Sequence, residues 1–234
     1  MAWTGNVWLG MGALAFWGEV GETAPHTHAA HQVFLGAGPA STVRAHLPDR
    51  TLGPARRIVI PSGTPHQTSP AEPSVRGLVV WLEPDRWPHV DDALIDGWPG
   101  ADSPMIDEAG AARIAAWVGD SRHRDPHVHD YVRRALAVTS ATLTESPTLR
   151  AVSAEIGVSS SHLSRLWRQD LGMSFNTWLR WARLREAARL VGEGASITDA
   201  AHGAGFADGA HASRVCRSMF GLSPLELTSG LTLI

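Results

Sequence analysis

The apolar positions of this chain change their period about halfway along its length. Through residues 1–85 they come in short runs, at 7–17, 32–35, 58–60 and 78–82. Stretches rich in Gly and Pro separate these runs, at 36–39, 52–54 and 61–63. Such spacing predicts the strands of an all-β sandwich or small barrel. From about residue 104 the period becomes helical, first over 106–118 and then over 128–143. Gly and Pro afterwards fall only between helical stretches. Residues 84–104, which hold Pro84, Pro88, Pro99 and Pro104, are the least regular part. A domain boundary is expected within 100–125.

Inside the helical half a pattern recurs. Residues 162–174 and 211–223 both read His-x-Ser-Arg-x-x-Arg-x-x-x-Gly-x-Ser, offset by 49 positions. Identity at that many aligned positions marks two copies of one structural unit. Each copy has the makings of a helix-turn-helix. In the first, Thr148 caps a helix whose Leu149, Val152 and Ile156 share a face. Gly157 makes the turn, Val158 plugs the interhelical angle, and Ser159 caps the second helix. Leu163, Leu166 and Trp167 then point inward, with Ser161, Ser164, Arg165 and Arg168 on the opposite face. In the second copy Ser196 caps a helix with Ile197, Ala200 and Ala201 inside. Gly205 and Phe206 turn the chain, and Asp208 caps the helix carrying Arg214 and Arg217. Between the copies, residues 174–191 form a long connecting helix with Phe175, Trp178, Leu179 and Ala182 on one stripe.

An α-helix fits the DNA major groove, and outward arginines mid-helix can bond guanine O6 and N7 in bidentate fashion. A solvated face would suffice to explain one such helix. Two copies with the same outward residues favour DNA contact. The contact set is Ser160, Ser161, His162, Ser164, Arg165 and Arg168, with Ala210, His211, Ser213, Arg214 and Arg217. Helices reading one duplex face should sit about one helical turn apart, roughly 34 Å.

Charge agrees, mildly. Net charge is −3, all 20 basic residues are Arg, and no Lys occurs. Residues 1–120 hold 7 Arg against 13 acids, residues 121–234 hold 13 Arg against 10 acids. Only the second half has the sign that suits a polyanion. The lone Cys216 excludes an internal disulfide framework and fits a reducing cytoplasm. No basic stretch precedes the first apolar run, so no secretory leader is expected. That run is about half a membrane span and is broken by Gly10 and Gly12, so it is expected as strand.

Residues 127–230 resemble the DNA-binding domain of the AraC family of bacterial regulators. The likeness rests on Gly157 to Ser159, His162 to Arg165, Asp170 to Phe175, Arg183 with Leu184 and Ala187, and Ile197 with Ala201. It continues through Gly205, Phe206, Asp208, Ser213, Arg214 and the stretch from Phe220 to Pro224. It implies control of nearby promoters, with an N-terminal domain that senses a signal or dimerises. Double-stranded DNA is the implied partner, and RNA polymerase and a second copy of the chain are compatible with it. Two departures stand out. Ala212 and Cys216 occupy positions where the family usually has aromatic residues, so either another side chain fills the space, with Trp178 and Trp181 as candidates, or the second unit is looser. Gly209 and Ala210 offer little to bases, so the first unit is expected to dominate sequence readout.

The first half has one cluster of chemistry. His26, His28, His31 and Gln32 are followed by Pro61, Gly63 and His66. Histidines two apart share a strand face, and a third from a neighbouring strand completes a three-nitrogen site. The arrangement resembles the cupin barrel pattern, with Gln32 where an acidic ligand stands. The candidate ligands are His26, His28, Gln32 and His66, with His31 turned to the other face. Three neutral imidazoles suit a divalent transition metal: Zn, Ni, Cu(II) or Fe(II). They can equally line an organic pocket or bond backbone groups. Trp8, Trp17 and Trp81 are either core or pocket lining. His123, His127 and His129 read as surface or helix-end residues.

The expected fold is α+β, a cupin-like β-barrel followed by an all-α domain with two helix-turn-helix motifs joined by a long helix. The expected divisions are 1–100, a linker 101–126 with one helix, and 127–234, with motifs at 148–172 and 196–221. The leading function is a regulator that senses a metal ion or small molecule. The alternative, a metal-dependent cupin-type enzyme tethered to a DNA-binding domain, lacks a fourth acidic ligand and any clustered acid–base pair, and Cys216 in a helix core does not suit a nucleophile.

Overall fold

In the computed structural model residues 3–120 and 128–234 are described. His123, His127 and the end of the expected linker lie outside them. Two compact units emerge, one of residues 3–120 with Arg217–Ile234, the other of residues 128–216.

The first unit is built on nine strands: β1 (Thr4–Gly10), β2 (Ala13–Glu19), β3 (His31–Gly36), β4 (Val43–His46), β5 (Thr51–Ala55), β6 (Arg57–Ile60), β7 (Gln67–Pro70), β8 (Arg76–Leu82) and β9 (Leu231–Leu233). The apolar run at 7–17, expected as one strand, is a hairpin. Gly12 takes φ +77, and the chain folds back so that Gly10 pairs with Ala13. The glycines that break the run as a membrane segment are what permit this turn.

Six strands form one sheet in the order β6-β3-β8-β2-β1-β9, and three form another in the order β5-β4-β7. Alternation explains why β2, β3 and β8 are almost wholly apolar: both faces of the larger sheet are covered. On one face Ala13, Ala15, Trp17, Val33, Leu35, Leu78, Val80 and Leu82 form a core with two helices, α1 (Asp92–Asp96) and α2 (Glu108–Val118). Trp87, Ile95, Trp98, Ala101 and Ile106 are buried in this core, so the Pro-rich stretch is packed structure. Trp17 belongs to it and Trp8 packs against it, which favours the core role for both. On the other face Gln32, Phe34 and Val79 meet Val43, Ala45 and Thr68 of the smaller sheet around a cavity of about 10 Å3. That is room for one water at most. Trp3 closes the space edge-on against Phe16, ring centroids 4.9 Å apart.

The helical half comprises α3 (Asp130–Ala141), α4 (Leu149–Glu155), α5 (Ser160–Leu171), α6 (Phe175–Gly192), α7 (Ile197–Gly203), α8 (Gly209–Phe220) and α9 (Pro224–Gly230). The expected caps Thr148, Ser159 and Ser196 each accept a backbone N–H of the first turn, and Ser174 caps α6 in the same way. Gly157 and Gly205 turn the two motifs at φ +78 and +83. Trp167 is fully buried, edge-on to Phe175 at 5.1 Å and to Trp178 at 5.5 Å. Trp178, one of two expected fillers beside Ala212 and Cys216, therefore serves the first motif. Trp181, the other, is buried at 1 % exposure. On the connecting-helix stripe, Phe175, Trp178 and Leu179 are buried while Ala182 is only half-buried. Arg183 is buried as well; it donates to the Leu143 carbonyl and the Ser146 hydroxyl, pinning α6 to the turn before α4.

Candidate nucleic-acid interface and histidine centre

The second helices of the two motifs, α5 and α8, have the same length of 12 residues and start 49 positions apart. Their inner faces bury Leu163, Leu166 and Trp167 in one, and Ala212, Val215, Cys216 and Met219 in the other. Outward, Arg165, Arg168, Arg214 and Arg217 are all exposed. Neither Arg165 nor Arg214 is consumed by packing.

On α5 the exposed residues are organised. Ser161, Ser164, Arg165, Arg168 and Gln169 line a shallow open groove. Arg165 donates from a terminal guanidinium nitrogen to His162 Nδ1 at 3.1 Å, which orients its fork. His162 in turn lies 6.1 Å edge-on from Tyr131. Ser160, counted among the contact residues, is half-buried, and its hydroxyl is bonded to Ser153 at 2.7 Å. It ties the motif's two helices together rather than facing out. Gln169 is the residue missed by sequence reasoning; its place four after Arg165 was the available signal. His129 caps α3, its Nδ1 accepting the Tyr131 N–H, as a helix-end residue should.

On α8, Asp208 accepts the His211 N–H at 2.6 Å and caps the helix. His211 is half-buried and lies edge-on to Phe206 at 5.4 Å, so its ring is engaged with the turn. Ala210 is exposed and Ser213 half-buried. The last residues of α8, from Arg217 on, belong to the first unit. Thr27 donates its N–H to the Ser218 carbonyl, and Ala24 donates to the Gly221 carbonyl, at 3.0 and 3.1 Å. Phe220 lies edge-on to Trp81 at 5.8 Å.

His26, His28 and His66 are buried together in the first unit, their ligand nitrogens within 4.8 Å of one another. The regular strand expected to carry both His26 and His28 is not there: His26 sits in an isolated bridge and His28 outside any strand. His26 and His66 form an isolated bridge, each donating its N–H to the other's carbonyl at 2.9 Å. Gly63, at φ +73, donates its N–H to the His28 carbonyl and so ties the Pro61 turn to the same segment. His31 lies on the opposite face of β3 from Gln32 and accepts the Ser62 N–H.

The imidazoles share one orientation device. Nδ1 of His26 faces the Ala24 carbonyl at 2.8 Å, that of His28 the Ala30 carbonyl at 2.7 Å, and that of His66 the Thr64 carbonyl at 2.9 Å. A carbonyl only accepts, so each Nδ1 carries the proton and each Nε2 of a neutral ring carries a lone pair. Burial, reinforced by the neighbouring histidines, pushes the pKa of His28 down to about 3 and that of His26 to about 4; burial also lowers that of His66. All three are therefore neutral at pH 7.

Gln32 Oε1 nevertheless sits 2.8 Å from His28 Nε2 and 3.2 Å from His66 Nε2. An oxygen facing two lone pairs is repelled unless the amide presents its NH2 or a cation sits among the three donors. The set passes the chemical test for a metal: fixed tautomers, converging lone pairs, and carbonyls holding the rear nitrogens.

A helix-turn-helix domain family matches residues 152–229. The HTH-type transcriptional regulator GlxA of Rhizobium meliloti (strain 1021) is 38 % identical over 88 residues, which are 37 % of this chain and 27 % of GlxA. The chain thus spans about a quarter of that relative's length. Among solved structures, an apo variant of ToxT from Vibrio cholerae strain SCE256 shares the fold at TM-score 0.59 and 11 % identity, over 95 % of this chain and 98 % of that one. Unsaturated fatty acid-bound ToxT from the same strain is similar at TM-score 0.56 and 12 % identity, over 93 % and 96 %. Residues 152–229 thus carry a helix-turn-helix domain.

Proposed function

We propose that the protein is a transcription regulator that binds double-stranded DNA through the exposed faces of α5 and α8 and senses a transition-metal ion at His26, His28, Gln32 and His66. The observation that carries the DNA reading is the repeated outward display of arginines, Arg165 with Arg168 and Arg214 with Arg217. Selection of bound sequences from a random duplex pool by the full chain tests it. A recurrent motif is expected, bound with an affinity that falls linearly in log salt. Arg165→Ala should weaken the enrichment. No enriched motif, or enrichment indifferent to Arg165, overturns the reading.

The metal reading rests on the three imidazoles with their fixed tautomers. When bound, the ion would supply a fixed positive centre linking three segments of chain. Segment 24–28 carries two of the donors and also the backbone donors to Ser218 and Gly221 at the end of α8. Ordering of that segment by a ligand therefore has a short route to the second motif. A ToxT structure is described as unsaturated fatty acid-bound. The cavity between the sheets of this chain, about 10 Å3, is far too small for a fatty acid.

The relatives are named as regulators, and the site lacks a carboxylate among the described residues, so the cupin-type enzyme is set aside. Metal content of the purified protein, read with an oxygen electrode, separates the two. One equivalent of metal without oxygen uptake supports sensing. Uptake that depends on His26 and His66 would restore the enzyme. No described helix is long and apolar enough to cross a membrane.

A further inference from the structure

The two motifs use their turn glycines in different ways. Gly157 and Gly205 share nearly the same left-handed backbone, at φ +78 and +83. A Cβ placed on Gly157 would meet nothing within 4 Å. On Gly205 it would lie 2.8 Å from the Leu143 carbonyl oxygen and 3.1 Å from both Thr144 Cα and Arg183 Nε. The turn of the second motif is thus seated, backbone on backbone, on the short turn that leads into the first.

Arg183 joins this contact from the connecting helix, which packs on both α5 and α7. Its side chain is buried, and its Nε and one terminal nitrogen donate to the Leu143 carbonyl at 3.4 and 3.3 Å. The same terminal nitrogen donates to the Ser146 hydroxyl at 3.2 Å. Among the described residues Ser146 is the one non-glycine at positive φ, +56. Side chains seldom adopt that conformation, and it persists where the surroundings over-determine it. Here the guanidinium grips the residue's hydroxyl.

We propose that Arg183 is a positioning residue for DNA binding. Together with the turn at 143–146 and the Gly205 backbone, it fixes the second motif relative to the first. It thereby sets the spacing of the two sub-sites that the chain accepts on one duplex. The proposal rests on the DNA reading above and names what governs its geometry. A guanidinium suits the task, because its planar set of donors holds a carbonyl and a hydroxyl in one arrangement. Inserting one base pair moves a sub-site by about 3.4 Å and turns it by about 35°. A fixed pair of motifs then loses one of its two contacts, whereas a loose pair follows the shift.

The test uses the full chain and the sequence it selects from random duplexes, at one fixed salt concentration. Affinity is read for the whole site, for the site with one base pair inserted between its sub-sites, and for the first motif's sub-site alone. The native chain should prefer its own spacing by about tenfold or more, since simultaneous engagement is what lifts affinity above that of one motif. Arg183→Met removes the donors and should narrow that preference to about threefold or less, with binding of the single sub-site kept within about twofold. Gly205→Ala should act likewise, because its Cβ displaces the Leu143 carbonyl. Gly157→Ala carries the same strain but faces open space, and should leave the preference intact.

A preference retained in Arg183→Met overturns the inference. So does an equal loss on the whole site and on the single sub-site, the mark of general damage. Where Arg183→Met loses its far-UV circular dichroism, the glycine pair decides, and equal effects at Gly157 and Gly205 overturn the inference. Sub-site binding by the native chain without any spacing preference also overturns it, and leaves the DNA reading standing. Failure to select any sequence removes the DNA reading, and this inference with it.

Discussion

The two helix-turn-helix motifs were copied from one plan and have been spent differently. Their second helices superpose in length and register, ending at Gly172 and Gly221 with φ +68 in both. Their first helices, α4 and α7, start only 48 positions apart, against 49 for α5 and α8. The second turn is therefore one residue longer, and the extra residue lets Asp208 reach the cap position. The outward faces differ more. Where α5 shows Ser161, Ser164, Arg165, Arg168 and Gln169, α8 shows Ala210, Ser213, Arg214, Arg217 and Ser218. The arginines are kept while the supporting donors thin out. The residues that follow Cys216 belong to the first unit, where the carbonyls of Ser218 and Gly221 accept from the N–H groups of Thr27 and Ala24. The first copy keeps the fuller set of outward donors, the second the smaller.

The sharpest way to break this comparison is at the paired glycines. Alanine at Gly172 has to adopt a left-handed conformation, which costs on the order of 1 kcal/mol. Alanine at Gly221 carries the same strain, and its Cβ would also fall 2.4 Å from the Ala24 carbonyl oxygen and 2.8 Å from the Ala24 nitrogen. Backbone cannot yield as a flexible side chain does, so Gly221→Ala should cost roughly 3 kcal/mol or more. Denaturant unfolding of the full chain measures both. Equal losses would show that the tether at the end of α8 exerts no constraint.

The next effect is on binding. Arg165 is oriented by His162 and flanked by Ser161, Ser164 and Gln169, whereas Arg214 stands beside Ala210. A bidentate contact to guanine discriminates by roughly 1–3 kcal/mol, so Arg165→Ala should weaken specific binding by about 5- to 150-fold. Arg214→Ala should cost less and leave most of the sequence preference intact. Both are measured by mobility shift at one fixed salt concentration, since guanidinium contacts to phosphate alone would vary with salt. A loss for Arg214→Ala as large as for Arg165→Ala refutes the division of labour.

How much of this was readable in the chain follows from where the signal is local. Caps at Thr148, Ser159 and Ser196, and the turns at Gly157 and Gly205, depend on backbone geometry within a few residues. So did the histidine cluster, because its spacing and the Pro61 turn are sequence features. What escaped depends on distant partners. The hairpin at Gly12 hides in a continuous apolar run, because strands buried on both faces lose their alternation. The inward turn of Ser160 is set by Ser153, and the role of Trp178 by Trp167, neither of which periodicity assigns. The attachment of α8 to segment 24–27 joins residues almost two hundred positions apart, and no local pattern announces it.

The smallest expected effect separates capping from charge. Ser159 and Asp208 hold equivalent positions, accepting the N–H of His162 at 3.2 Å and of His211 at 2.6 Å. Ser159→Ala removes a cap and should cost about 1 kcal/mol of stability. Asp208→Asn keeps the cap, since Asn serves nearly as well as Asp, and loses only the attraction of a carboxylate to the helix N-terminus, about 0.3–1 kcal/mol. The same change takes a negative charge from the end of a helix meant to approach phosphates. DNA affinity should therefore rise a few-fold even as stability slips, and the gain should shrink as salt screens it. For Ser159→Ala no such opposition is expected, because a hydroxyl repels nothing. Tighter binding from the slightly less stable variant would mark Asp208 as a cap retained at some cost to DNA contact. A fall in affinity for Asp208→Asn would mean instead that α8 stays away from the duplex, with its Asp208 end turned to protein or solvent.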